Sequence, residues 1–340
     1  MAQNKALLIY NPTAGSAQGP QLWLGTCVHK LCQEGNYATT VLSTNRDTTA
    51  QNIFAGHPEK PDLIVIAGGD GSVRMAIDAM MREGMQEVPL GIIPLGTGNL
   101  LARNLGVFEE NILFDPIERA LNHIINGERI RIDLGKMNDQ YFAAAAGVGP
   151  LSDAIITPDR RDKENWKMLA YAGSMVQTLA QPPLLFKVVA DGEEFKINAS
   201  GIFITNIKDL GVGMLSESAS MHDGMLDLCV LSPKEFVDYL QYGFHFAGGS
   251  TITGGKAPYY VKKVKQVEID ILTRRKPLSF IEQGWRKIKY AITGQTEGRV
   301  AQDRAIAMID GDAFGSTPMK IEIVPDAITV IKPAQNSLGR

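Results

Sequence analysis

Apolar positions along this chain follow two rhythms, and the rhythm changes near Gly127. Before that point, short apolar runs alternate with helical spacings. Ala6–Tyr10, Tyr37–Leu42, Asp62–Ala67 and Leu90–Ile93 have strand length. Between them, Leu24, Cys27, Val28 and Leu31 share one helical face, as do Val73, Ala76, Ile77, Met80 and Met81. Leu100, Leu101 and Leu105 begin a further helix, and Ile117, Leu121, Ile124 and Ile125 complete the series. Alternating strands and helices predict an α/β lobe with an open, mostly parallel, doubly wound sheet.

After Gly127 the period falls to two. Arg129–Leu134 alternates, with Tyr141–Ala146 as its expected partner. Phe186–Ala190 and Phe195–Asn198 flank Asp191-Gly192, a hairpin signal. Further strands are expected at Ile202–Thr205, Leu226–Leu231, Val267–Leu272, Lys320–Val324 and Ile328–Ile331, and helices at Asn165–Leu179 and Lys234–Phe246. This half predicts a β-rich, antiparallel, sandwich-like lobe. The expected division is 1–128 for the α/β lobe, 129–333 for the β-rich lobe and 334–340 for a tail. A length of 340 residues suits two domains.

Composition narrows the function. The chain has 34 basic against 37 acidic residues, net −3, which argues against a nucleic-acid binder with a broad basic surface. No apolar run approaches the roughly 20 residues that span a bilayer. The first run turns at Asn11-Pro12, too short for a signal-peptide core. Three cysteines, Cys27, Cys32 and Cys229, give no disulfide framework. The expected location is the cytoplasm.

Three glycine turns each follow a predicted strand and precede a predicted helix: Asn11-Pro12-Thr13-Ala14-Gly15, Gly68-Gly69-Asp70-Gly71-Ser72 and Pro94-Leu95-Gly96-Thr97-Gly98-Asn99. Open parallel sheets bind ligands outside the carboxyl ends of their strands. Backbone N–H groups at helix starts suit phosphate oxygens, and glycine lets the backbone come close. Ser72, Thr13 and Thr97 add hydroxyls. Asp70 would repel a bare phosphate, which implies a bridging Mg²⁺. No G-x-G-x-x-G follows the first strand, and the Gly255-Lys256 region lacks the rest of a P-loop.

The second and third turns, with Leu100-Leu101-Ala102-Arg103 after them, resemble the catalytic domain of the bacterial diacylglycerol/lipid kinase family, relatives of sphingosine and ceramide kinases. Asn11-Pro12-x-x-Gly15 resembles its first nucleotide-contacting turn. Ala219-x-x-x-Asp223-Gly224-x-Leu226-Asp227, Ile309-Asp310-Gly311-Asp312 and Pro325–Pro333 resemble later elements of the family. The resemblance implies ATP over Asn11, Pro12, Thr13, Gly15, Thr44, Gly68, Gly69, Asp70, Gly71, Ser72, Gly96, Thr97 and Asn99, with Mg²⁺ linked to Asp70. A diacylglycerol-like lipid would enter from the β-rich lobe at a membrane surface, with a homodimer as the candidate assembly. Asp312 would accept the hydroxyl proton, with Asp310 beside it. A structural cation is implied on the Asp223 carboxylate and the carbonyls of Ser220 and Met225.

Departures from the family pattern are Asp312 for the usual Glu, Ser72 for Thr, and Arg74-Met75 for the commoner Asn-Glu. Taken alone, Asp310-Gly311-Asp312 reads as a plain β-turn, and Arg74 suits a phosphate contact or a solvated helix face equally. Residues 274–303 form a polar insertion in which Ile281, Trp285, Ile288 and Ile292 share a helical face beside Arg286, Lys287 and Lys289. That pattern suits an anionic membrane surface or a docked surface helix. Rival readings are a kinase for a sphingoid base, ceramide or another lipid alcohol, an NAD kinase, and a non-catalytic nucleotide-binding or lipid-sensing protein.

Overall fold

In the computed structural model, the described residues are 3–12, 20–55, 60–108, 116–152, 183–211, 213–233, 238, 242, 259–272 and 304–334. Thr13, Gly15, the Asn165–Leu179 helix, nearly all of Lys234–Phe246 and the 274–303 segment lie outside them.

Four parallel strands start the first lobe: β1 (Asn4–Tyr10), β2 (Tyr37–Ser43), β3 (Leu63–Gly68) and β4 (Leu90–Pro94), in the order β2-β1-β3-β4. β3 and β4 are buried throughout, which is why they read as unbroken apolar runs. Helices α1 (Pro20–Gln33), α2 (Asp70–Arg82), α3 (Leu100–Asn104) and α4 (Pro116–Asn126) connect and cover them. Their apolar faces, Cys27 and Leu31, Val73 to Met80, Leu121 and Ile124, enter the core with the strands.

The sheet then changes character without ending. β16 (Met319–Lys332) lies beside β4, parallel, through Val330 and Leu90. It pairs antiparallel with β5 (Glu128–Met137) and β13 (Gln266–Ile271), and β13 leads to the hairpin of β8 (Leu184–Ala190) and β9 (Glu193–Ala199). Asp191 and Gly192 both take positive φ in that turn, as the sequence signal requires. A second sheet is antiparallel throughout: β12 (Tyr260–Val264), β11 (Leu226–Leu231), β10 (Gly201–Thr205), β7 (Ala145–Val148), β14 (Ile306–Ile309) and β15 (Asp312–Ser316). Phe186, Val188, Val267, Ile269 and Ile321 from the first sheet pack against Ile202, Ile204, Leu228, Val230 and Ile309 from the second. This is the expected sandwich-like lobe.

Two elements differ from expectation. Tyr141–Ala146 is not one strand. Gln140–Phe142 forms β6 beside β5, and Ala145 opens β7 in the other sheet. At the crossing, the N–H groups of Ala143, Ala144 and Ala145 face the Asp310 carboxylate. Lys320–Val324 and Ile328–Ile331 are one strand, β16, interrupted by a bulge where Asp326 takes positive φ. Ile321 belongs to the sandwich core, but Ile328, Val330 and Ile331 belong to the first lobe's core. β12, β14 and β15 had no clear sequence signal.

Candidate active site

β1, β2, β3 and β4 finish on one edge of the sheet, and their turns are bonded to one another. Asn11 N–H donates to the Ala67 carbonyl at 3.1 Å, and Leu95 N–H to the Gly68 carbonyl at 3.0 Å. Thr44 donates both its N–H, at 2.9 Å, and its hydroxyl, at 3.3 Å, to the Tyr10 carbonyl. Asn11, Thr44, Gly68 and Gly96 are thus neighbours, though scattered in sequence. Pro12 and Thr97 are exposed on this edge, and Ser72 is buried.

Glycine is required where the two central turns meet. A Cβ on Gly96 would lie 2.4 Å from Gly69 Cα, and a Cβ on Gly69 would lie 3.1 Å from Gly96 Cα. The backbones touch with no room for a side chain between them. Asn99 adopts the left-handed conformation and closes the third turn on itself. Its Oδ1 accepts from Gly96 N–H at 2.9 Å, and its Nδ2 donates to the Gly96 carbonyl at 2.8 Å.

Asp70, in the first turn of α2, joins the turns. Its Oδ2 accepts from Asn99 N–H at 2.8 Å and its Oδ1 from Leu100 N–H at 2.6 Å. Burial raises its pKa, opposed by these N–H groups, while the charge of Asp312 adds to the rise. The carboxylate that the sequence links to a cation therefore also holds the glycine turns together.

The second lobe contributes the β14–β15 hairpin. Asp310 and Gly311 take positive φ at its tip. Asp310 Oδ1 accepts from the N–H groups of Ala144 and Ala145, each at 3.0 Å. Burial pushes its carboxyl up to about 6, aided by Asp70 and opposed by those N–H groups and by Arg74. Asp312, two residues on, is over half exposed. A side chain on Gly71 would stand 3.5 Å from its Oδ2, so the hairpin reaches the second glycine turn.

Arg74 spans the two lobes. Its Nη2 lies 3.2 Å from Asp312 Oδ2, its Nη1 donates to the Ile309 carbonyl at 3.3 Å, and its guanidinium sits 5.7 Å from the Phe314 ring centre. Arg74 is therefore not a solvated helix residue: its guanidinium is mostly covered and paired across the lobes. Asn104 makes a second tie across the lobes. It donates to the Asp209 carbonyl at 2.7 Å and accepts from the N–H groups of Lys208 and Asp209. Asp133, fully buried on β5, accepts from Gly224 and Asp326 N–H, both at 2.8 Å. Asn104 and Asp133 carry no motif, and nothing in the sequence singled them out.

The group implied at Asp223 is a structural metal cation, and the residues present do not fit one, because an ammonium already holds that carboxylate. Asp223 Oδ2 lies 2.5 Å from the Lys263 ammonium. Asp223 Oδ1 in turn accepts from Met225 N–H at 3.1 Å. Lys263 was not anticipated, because β12 itself was not, and so its register opposite Asp227 was not legible.

Comparison with known proteins finds relatives along most of the chain. The diacylglycerol kinase catalytic domain matches residues 5–137. The YegS C-terminal NAD kinase beta sandwich-like domain matches residues 146–284, taking in the start of the 274–303 segment. A diacylglycerol kinase of Bacillus subtilis (strain 168) is 28% identical over 269 residues, 78% of this chain and 86% of the relative. One of Staphylococcus aureus (strain bovine RF122 / ET3-1) is 27% identical over 275 residues, 80% and 84%. Crystal structures of a diacylglycerol kinase and a putative one from Bacillus anthracis str. Sterne share the fold. Their TM-scores are 0.69 and 0.71 at 22% and 21% identity. Each covers 98% of this chain, which spans 98% and 96% of them.

Proposed function

We propose that this chain, a lipid kinase belonging to the diacylglycerol kinase family by both its domains, transfers the γ-phosphoryl group of ATP to the free hydroxyl of diacylglycerol, giving phosphatidic acid. The observation that carries the reading is the β14–β15 hairpin, which brings Asp312 to the glycine turn that ends β3 and sets Asp310 within the field of Asp70.

Phosphoryl transfer is chiefly a matter of positioning and charge neutralisation. The α2 start and the tips of the two central glycine turns, whose other N–H groups are already bonded within the protein, would hold the phosphates. Asp70 stands within the field of Asp312, and Asp310 within that of Asp70. Three carboxylates facing a polyphosphate suit a nucleotide that arrives with Mg²⁺, which neutralises phosphate charge when bound. Asp312 is the better placed base, because Asp310 is filled by the Ala144 and Ala145 N–H groups. The lipid oxygen attacks the γ-phosphorus as its proton passes to Asp312. The bond from the γ-phosphorus to the bridging oxygen breaks, and ADP leaves.

Among the described residues no helix is long and apolar enough to cross a membrane. A diacylglycerol substrate would be met at the bilayer surface. The test is radiolabelled phosphate transfer from ATP and Mg²⁺ to a lipid panel in mixed micelles, wild type beside Asp312→Asn. Label in phosphatidic acid, reduced about 100-fold or more in the variant, is the expected result. Label on ceramide or a sphingoid base alone would replace the substrate. ATP binding without label on any lipid would overturn the reading.

A further inference from the structure

We propose that the Lys263 ammonium is a built-in replacement for a structural cation in the second lobe, so that this corner of the protein is held together without metal. The argument starts from register. Asp227 on β11 and Lys263 on β12 are directly opposite partners in an antiparallel pair, the position where side chains of opposite charge meet across strands. The Asp227 side chain is fully buried, and a buried carboxylate needs a partner. Its Oδ1 accepts from the hydroxyls of Ser216, at 2.8 Å, and Ser218, at 2.6 Å. Its Oδ2 faces the Lys263 ammonium at 3.3 Å.

The same ammonium donates to Asp223 Oδ2 at 2.5 Å and to the Ser218 carbonyl at 2.9 Å. An ammonium has three N–H donors, and here each has an oxygen acceptor. Two carboxylates and a main-chain carbonyl converging on one point make the oxygen-rich donor set a hard cation would take. The lysine head occupies that point, and its stem returns to β12. Burial works against its charge, but Asp223 and Asp227 hold its pKa above the ordinary lysine value. A divalent ion would have to displace a covalently tethered cation already at the site. The ammonium thus ties the loop carrying Ser216–Asp223 to β11 and β12.

The inference does not depend on which lipid is phosphorylated, and its first tests need no substrate. Nucleotide-free wild type and Asp223→Asn would be titrated with Mn²⁺ and followed by electron paramagnetic resonance. Equal binding in the two proteins is expected. Binding in wild type that Asp223→Asn removes would overturn the proposal. Thermal unfolding of wild type should be the same in EDTA and in millimolar Mg²⁺, and a midpoint lowered by EDTA would also overturn it. Lys263→Met keeps the stem and removes the charge. Its midpoint should fall by about 5 °C or more, since a buried carboxylate is left without its cation. A midpoint equal to wild type would count against the ammonium's role. Should Lys263→Met not fold, Lys263→Arg, which keeps the charge, should remain folded and insensitive to EDTA. In the kinase assay, velocity should follow the concentration of Mg–ATP alone, without further activation by free Mg²⁺.

Discussion

Asp312 shares its Oδ2 with Arg74 while more than half exposed, so it is held in place but still open to a substrate. A pair this exposed adds at most about 1 kcal/mol to stability; its worth should show in rate. Arg74→Ala is expected to lower kcat roughly tenfold with little change in the unfolding midpoint, and to add little once Asp312→Asn is present. A double-mutant cycle in kcat measures this coupling. Asp310 behaves differently. Its carboxyl is raised by burial to about 6, so the folded state favours the protonated form. Its contribution to stability is full below the unfolded value near 4 and is lost as pH rises through 6. Wild type should therefore lose thermal stability relative to Asp310→Asn between about pH 4 and 6, and parallel curves would refute this. The glycines were legible in the sequence because steric need restricts residue choice there, and Asp70 because a carboxylate in a phosphate-type turn stands out by its charge. The partnership of Arg74 and Asp312 was not, since it joins residues 238 positions apart.

The two central turns form one unit because Gly69 and Gly96 touch backbone to backbone. Gly96→Ala must push them apart and should weaken nucleotide binding about tenfold or more, readable by titration with a fluorescent ATP analogue. Alternation and turn chemistry located most strands. Where they failed, a tertiary partner decided the outcome. Tyr141–Ala146 has the composition of one strand, but Asp310 takes the N–H groups at its centre and splits it between sheets. β14 and β15 are short, and the residues between them read as an ordinary turn. Their importance lies in where the hairpin is aimed, which local pattern does not encode.

At the scale of the molecule, the change of rhythm near Gly127 marked two architectures, but it did not disclose that one strand serves both. Ile321 is buried in the sandwich and Val330 in the first lobe. The two lobes should therefore unfold in one calorimetric transition, and two resolved transitions would contradict that coupling. The same strand has a consequence for biosynthesis. A ribosome completes β4 about 240 residues before the partner that will lie beside it, since Leu90 pairs with Val330. Through most of translation the nascent first lobe presents an apolar strand without its neighbour, a state open to mispairing. Ribosome-bound chains stalled before residue 319 should then be protease-sensitive across the first lobe and held by chaperones. Release of the last fourteen-residue strand should bring resistance to both lobes together.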